Sequence, residues 1–158
     1  MVKAKKLSSI MVAIDGSKES MRAADYALSI AVNNEGELIL LHVFYSQLAY
    51  AYTSYLSKVE SSSSFDAILR SAEDQASHWF NAIKDKLEEG EGQRIGVKSE
   101  VIVTSTSVSR AIIEYAEYNK INLIVIGGKS KSAFKKVLLG STTSQLLTYS
   151  GIPTLIVK

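Results

Sequence analysis

Residues Leu123–Lys158 read LIVIGGKSKSAFKKVLLGSTTSQLLTYSGIPTLIVK. Leu123 to Ile126 is an apolar run rich in β-branched residues that stops at Gly127-Gly128. Thr154 to Val157 is a second such run, introduced by Pro153, the only proline of the chain. Between them lie a polar loop and a short helix from about Thr142 to Tyr149. Neither run alternates apolar with polar residues, which is how strands covered on both faces read, and such strands belong to parallel sheets joined by helical crossovers.

Upstream the same unit recurs. Ser9 to Ile14 (SIMVAI) is a short strand ending at the turn and cap cluster Asp15-Gly16-Ser17. From Lys18 to Asn33, Met21, Ala24, Ala27, Leu28 and Ala31 recur at helical spacing, with Ser17 as N-cap and Asn33-Asn34-Glu35-Gly36 as the stop. Leu38 to Phe44 (LILLHVF) is a strand deep in the sheet, interrupted only by His42. Phe65 to Glu89 sets Phe65, Ile68, Leu69, Ala72, Ala76, Trp79, Phe80, Ile83 and Leu87 on one helical stripe. Val97 to Val103 is a strand, and behind a Ser107 cap Val108, Ala111, Ile112, Tyr115 and Ala116 restore the helical period. The order β-α-β-α-β-α-β-α-β predicts a single-domain α/β fold over residues 1–158, with five parallel strands and helices on both faces. Residues 45–64, with four tyrosines and a closing run of four serines, sustain no period and read as an excursion from that plan.

Composition narrows the chemistry. The 158 residues include no cysteine, which excludes disulfides, thiol catalysis and Cys-ligated metals, and the two histidines, His42 and His78, have no ligand-like spacing. The longest apolar runs are far shorter than the ~20 residues of a membrane span, and MVKAKK is not followed by a signal-type stretch, so a cytoplasmic protein without membrane partners is expected. A net charge of +2 argues against a chain-wide nucleic-acid surface and leaves room only for a local anion site.

In open α/β sheets ligands sit beyond the carboxyl ends of the strands, where the strand order reverses. Two loops therefore matter. The loop Gly127–Ser141 carries four lysines, three serines, three glycines and no acid, the makings of an anion cradle. Glycines let backbone N–H groups approach phosphate oxygens, and Gly140-Ser141 stands where the last helix begins, so Ser141 can cap that helix or bind phosphate. The same composition also suits a solvated loop whose glycines only serve turn geometry. Asp15, directly after the first strand, can form an Asx-turn with Gly16-Ser17, and can also accept hydrogen bonds from a ribose hydroxyl or an adenine amine.

The stretches IMVAIDGSKES, LILLHVF and LIVIGGKSKSAFKKVLLGSTTSQLLTYSGIPTLIVK resemble the universal stress protein family over essentially the whole chain except the Tyr/Ser-rich excursion. That resemblance implies the five-stranded fold and, for nucleotide-binding members, the motif Gly-x2-Gly-x9-Gly-Ser/Thr binding ATP or another adenine nucleotide, with Mg2+ held mainly by the phosphates. Gly127, Gly140 and Ser141 match, whereas Ser130 replaces the second glycine. By the resemblance, Asp15 and Val43 flank the adenosine, Gly127 and Ser130 the ribose and phosphates, and Gly140, Ser141 and Thr142 the phosphate tail. Ala13, Ile126 and Lys129 add backbone or lining contacts. Ser130 brings a Cβ, which costs roughly 1–2 kcal/mol in a left-handed conformation, but also a hydroxyl able to donate to phosphate. Before the third helix, where the family often has Gly-Asp-Pro, this chain has Thr106-Ser107-Val108. Family members commonly pair through the last strand, which implies a homodimer through Thr154–Val157.

Other signals fail. Gly128-Lys129-Ser130 imitates the end of a phosphate-binding P-loop, but the glycine required five residues earlier is Leu123. No Gly-x-Gly-x-x-Gly follows the first strand and no Gly-x-Ser-x-Gly occurs, which disfavours nicotinamide dehydrogenases and serine hydrolases. His42 reads as a core residue, His78 as a surface residue and Trp79 as core. The expectation is a homodimeric, adenine-nucleotide-binding stress sensor or regulatory switch. No general base is visible, so enzyme activity is not expected, although slow ATP hydrolysis or autophosphorylation stays open. The alternative is a nucleotide-free homodimeric interaction protein in which Ser130 marks a lost site.

Overall fold

The computed structural model describes residues 4–48, 62–90, 95–128 and 139–158. Lys129, Ser130 and most of the Tyr/Ser-rich excursion lie outside these residues, and with them the site roles expected of that lysine and serine. The elements in chain order are β1 (Ser9–Ala13), α1 (Lys18–Asn34), β2 (Glu37–Tyr45), α2 (Ser62–Glu89), β3 (Val97–Thr104), α3 (Val108–Tyr118), β4 (Leu123–Gly127), α4 (Ser141–Tyr149) and β5 (Thr154–Val157). α2 begins three residues earlier than the apolar stripe predicts, because its first turn is built of serines that carry no apolar signal. Among the described residues no helix is long and apolar enough to cross a membrane.

All strand pairs are parallel, and the sheet order is β3-β2-β1-β4-β5. Right-handed crossovers explain which helices cover which face. The chain steps outward from β1 through β2 to β3 with α1 and α2 on one face, then returns to the far side of β1 and steps outward again with α3 and α4 on the other. The period-2 alternation of strand side chains therefore divides the core in two. Ile10, Val12 and Ile14 of β1 and its end, with Leu38 and Leu40 of β2, pack under α1 and α2 with Phe80 and Ile83. Met11, Ile39 and Leu41 face the opposite way, against Ile112 and Ala116 of α3 and Leu146 of α4.

α1 buries Ala23, Ala24, Ala27 and Ala31 completely, so with only methyl groups at its contact face it lies close against β1 and β4. Its start is fixed by Ser17, whose hydroxyl accepts from the Ser20 amide at 3.1 Å, and Ser107 does the same for α3 through the Arg110 amide at 3.1 Å. Lys98 of the edge strand β3 pairs with Glu37 of β2 at 2.8 Å, and a lysine on an edge strand is the sort of charge that discourages edge-to-edge pairing.

Candidate functional site

Because the chain leaves β1 toward one face of the sheet and β4 toward the other, the backbone parts between their carboxyl ends. A cleft of about 120 Å³ opens there, on the α3 and α4 side. Its floor is Ala13, Leu41, Val43 and Ile126 at the ends of β1, β2 and β4, and its walls come from the first turns of three helices. α1 contributes Ser17, Glu19 and Ser20, α3 contributes Val108 and Ile112, and α4 contributes Ser141, Thr142 and Thr143 behind Gly140. Every described residue expected at the site lines this cleft: Ala13, Asp15, Val43, Ile126, Gly127, Gly140, Ser141 and Thr142.

The three helix starts differ in one respect. α1 and α3 are capped by serine side chains, whereas α4 begins behind Gly140 (φ −62°, ψ 161°), which supplies no side-chain cap. Gly140 thus takes the cap position that the sequence offered to Ser141, and Ser141 is the first helical residue. The leading amides of a helix have no intrahelical acceptor, and they carry the positive end of its dipole. At α4 this donor set borders the cleft, and among the described residues no serine or aspartate side chain caps it.

Asp15 stands on the turn above β1. Its Oδ1 accepts from the Ser17 amide at 2.9 Å, closing the Asx-turn, while Gly16 adopts φ +79°. Its own amide donates to the Ser20 hydroxyl at 3.3 Å, tying the turn to the first helical turn. The turn role thus holds, and the carboxylate still borders the cleft. Gly127 has a packing reason to be glycine: an added Cβ would lie 2.5 Å from the carbonyl carbon of Glu19 and 2.8 Å from the Ser20 amide nitrogen. The start of α1 crosses the end of β4 at a distance that only a bare backbone allows.

Sequence reading missed the wall residues Ser17, Glu19, Ser20, Val108, Ile112 and Thr143. The signal for the α1 residues is Gly127 itself, since a glycine closing a buried strand marks a close backbone approach. Among the described lining residues the charged groups are Asp15 and Glu19, both acids. The resolved shifts in ionisation fall elsewhere. Burial, with Glu100 and Glu37 behind it, pushes Tyr115 above the ordinary tyrosine value, and pairing with Glu37 and Glu114 raises Lys98 and Arg110. Among the described residues no group of three or more His, Asp or Glu side chains is placed to hold a metal ion.

A five-stranded parallel sheet in the order 3-2-1-4-5, with a cleft at the reversal point and an uncapped helix start bordering it, defines a doubly wound α/β domain. The universal stress protein family model matches residues 6–158, and the chain belongs to that family. Universal stress protein YxiE of Bacillus subtilis is 30% identical over 151 residues, covering 94% of this chain and 97% of that protein. Among solved structures, the universal stress protein UspA of Lactobacillus plantarum superposes with a TM-score of 0.67 at 22% identity, covering 98% of this chain and 100% of that one. A universal stress protein in complex with cAMP superposes with a TM-score of 0.68 at 21% identity, covering 98% and 99%. Some members of the family therefore bind nucleotides.

Proposed function

We propose that the chain is a cytoplasmic, homodimeric stress-response regulator whose cleft takes an adenine nucleotide, ATP foremost, with Mg2+ held mainly by the phosphates. The observation carrying this reading is the uncapped start of α4 behind Gly140, turned into the same cleft as Asp15, Val43 and Gly127. The amides of Ser141 and Thr142 would hold the phosphate tail, assisted by their hydroxyls. Ala13, Val43 and Ile126 offer an apolar seat for the base, and the Asp15 carboxylate accepts from an adenine amine or a ribose hydroxyl. Lys129 and Ser130 would add charge and a hydroxyl near the phosphates. Two carboxylates among the described walls suit a polyphosphate that arrives with its cation better than a bare one. The reading is of a sensor and not of a fast hydrolase.

The homodimer rests on the free edge of β5. Pro153 and Val157 turn their carbonyls toward β4, accepting from Ile124 and Gly128 at 2.9 and 2.8 Å. With the strand's period of two, Thr154 and Ile156 direct their backbone groups outward, where a second β5 can pair with them.

Calorimetric titration with Mg-ATP, AMP and GTP tests the nucleotide reading. Saturable binding of ATP, weaker with GTP, is the expected result. Absence of binding at millimolar ligand in calorimetry and in a second assay would leave the nucleotide-free interaction protein. The small cleft, below the roughly 300–1,000 Å³ of ordinary small-molecule sites, and its acidic walls would then belong to that reading.

A further inference from the structure

Behind the Asp15 turn, on the face of the sheet opposite the cleft, stands a side-chain assembly that the nucleotide reading does not use. His42 of β2 is 7% exposed, and its Nδ1 lies 2.7 Å from the carbonyl oxygen of Ile14, the residue before Asp15. A carbonyl oxygen only accepts, so the ring must carry its proton on Nδ1. In the neutral ring Nε2 is then the acceptor nitrogen, and it is buried without a hydrogen-bond partner among the described residues. The His42 ring meets Trp79 of α2 in a T-shaped contact, with centroids 5.2 Å apart and planes at 77°. Trp79 in turn lies against Gly16 so closely that a Cβ there would come within 2.2 Å of its ring.

Ile14, Asp15 and Gly16 are thus held from behind at two points: a hydrogen bond to the carbonyl on one side of Asp15 and an indole ring against the glycine on the other. We infer that His42 is a positioning residue, which with Trp79 clamps the Asp15-Gly16-Ser17 turn so that the Asp15 carboxylate is presented to the cleft at a fixed height. The inference rests on the nucleotide reading for its functional consequence, while the clamp itself can be tested without any ligand. A polar histidine within the apolar run Leu38–Phe44, with one nitrogen satisfied and the other buried without a partner among the described residues, is costly for a core and explicable for a clamp. The indole supplies shape, and the imidazole supplies direction.

The test uses the full chain and two substitutions. His42→Leu keeps an apolar side chain of similar reach and removes the donor, whereas His42→Asn places an amide N–H near the position of Nδ1. Wild-type protein is first examined by long-range nitrogen–proton NMR, which distinguishes the two neutral tautomers; the Nδ1-protonated ring is expected, and an Nε2-protonated ring overturns the proposal. Amide exchange at Gly16 and Ser17 is then compared under conditions where all three proteins are folded by circular dichroism. Exchange in His42→Leu is expected to rise about fivefold, the worth of one ordinary hydrogen bond, and to return toward wild type in His42→Asn. Equal exchange in all three overturns the clamp, as does equal acceleration in both variants.

Mg-ATP titration of the same proteins separates the two readings. If wild type binds, affinity is expected to fall about fivefold in His42→Leu and to recover in His42→Asn; unchanged affinity in His42→Leu overturns the positioning role. If wild type does not bind, the nucleotide reading and the positioning role fail together, and the tautomer and exchange results still decide whether the clamp exists.

Discussion

Replacing Gly127 by alanine should damage fold and site together. The new methyl carbon would stand 2.5 and 2.6 Å from the carbonyl carbon and oxygen of Glu19 and 2.8 Å from the Ser20 nitrogen. Ordinary contact begins near 3.4 Å, so the shortfall is about 0.9 Å, and every atom met is backbone. No side chain can swing aside; the first turn of α1 must move off the sheet, loosening the methyl-deep packing of Ala23 and Ala24 behind it. Overpacking of a tight core costs about 1–3 kcal/mol, and a clash with the backbone peptide unit of Glu19 and Ser20 belongs at the upper end, about 3 kcal/mol. Gly127 lies within β4 and has no positive φ, so the cost is one of space and not of backbone conformation. Gly151→Ala is the control: nothing lies within 4 Å of its added methyl, and it should be neutral or slightly stabilising. Urea unfolding at constant slope reads the difference as a shift in midpoint. A Gly127→Ala protein within about 0.5 kcal/mol of wild type, the range of an innocuous substitution, would refute the reasoning.

Other perturbations follow the same geometry. Ser107→Ala removes the cap of α3 and should cost about 1 kcal/mol in urea unfolding, with no loss of α-helical circular dichroism in buffer. Tyr115 is held protonated to higher pH than an ordinary tyrosine, first by burial and then by Glu100 and Glu37. Its folded value is raised, so its contribution to stability is complete below the unfolded value of 10.0 and is lost as pH climbs through the folded one. Tyr115→Phe should therefore flatten the decline of stability above pH 10, measured by unfolding across that range. Ile156→Pro deletes an outward N–H at the β5 edge without touching the β4 ladder, a placement proline tolerates; sedimentation should find monomer, and an unchanged dimer would place the pairing elsewhere.

The order of elements was legible because this sheet buries both faces: SIMVAI, LILLHVF and LIVI have no reading as amphipathic strands, and the alanines of α1 and the long stripe of α2 declare their helices. Asp15, Gly127, Gly140 and Ser141 were legible because turn and glycine chemistry is local. The remaining walls were not. Which residues of α1 meet Gly127, and that Val108 and Ile112 of α3 overhang Val43, depend on crossover geometry that no local spacing encodes. Trp79 and His42 read separately as core residues; the structure places Trp79 half-buried against Gly16 and leaves one nitrogen of buried His42 without a partner among the described residues. Their joint support of the Asp15 turn is a contact between β2 and α2, remote in sequence from the residue it holds.

The central claim is that the start of α4 receives the phosphates of an adenine nucleotide. Gly140→Asp sets a carboxylate at that helix start, where it caps the free amides and repels an anion, and aspartate is itself a favourable N-cap residue. The account predicts a folded variant, at least as stable as wild type, that has lost the saturable Mg-ATP binding measured by calorimetry in the parent. A Gly140→Asp protein that binds Mg-ATP as tightly as wild type would contradict it.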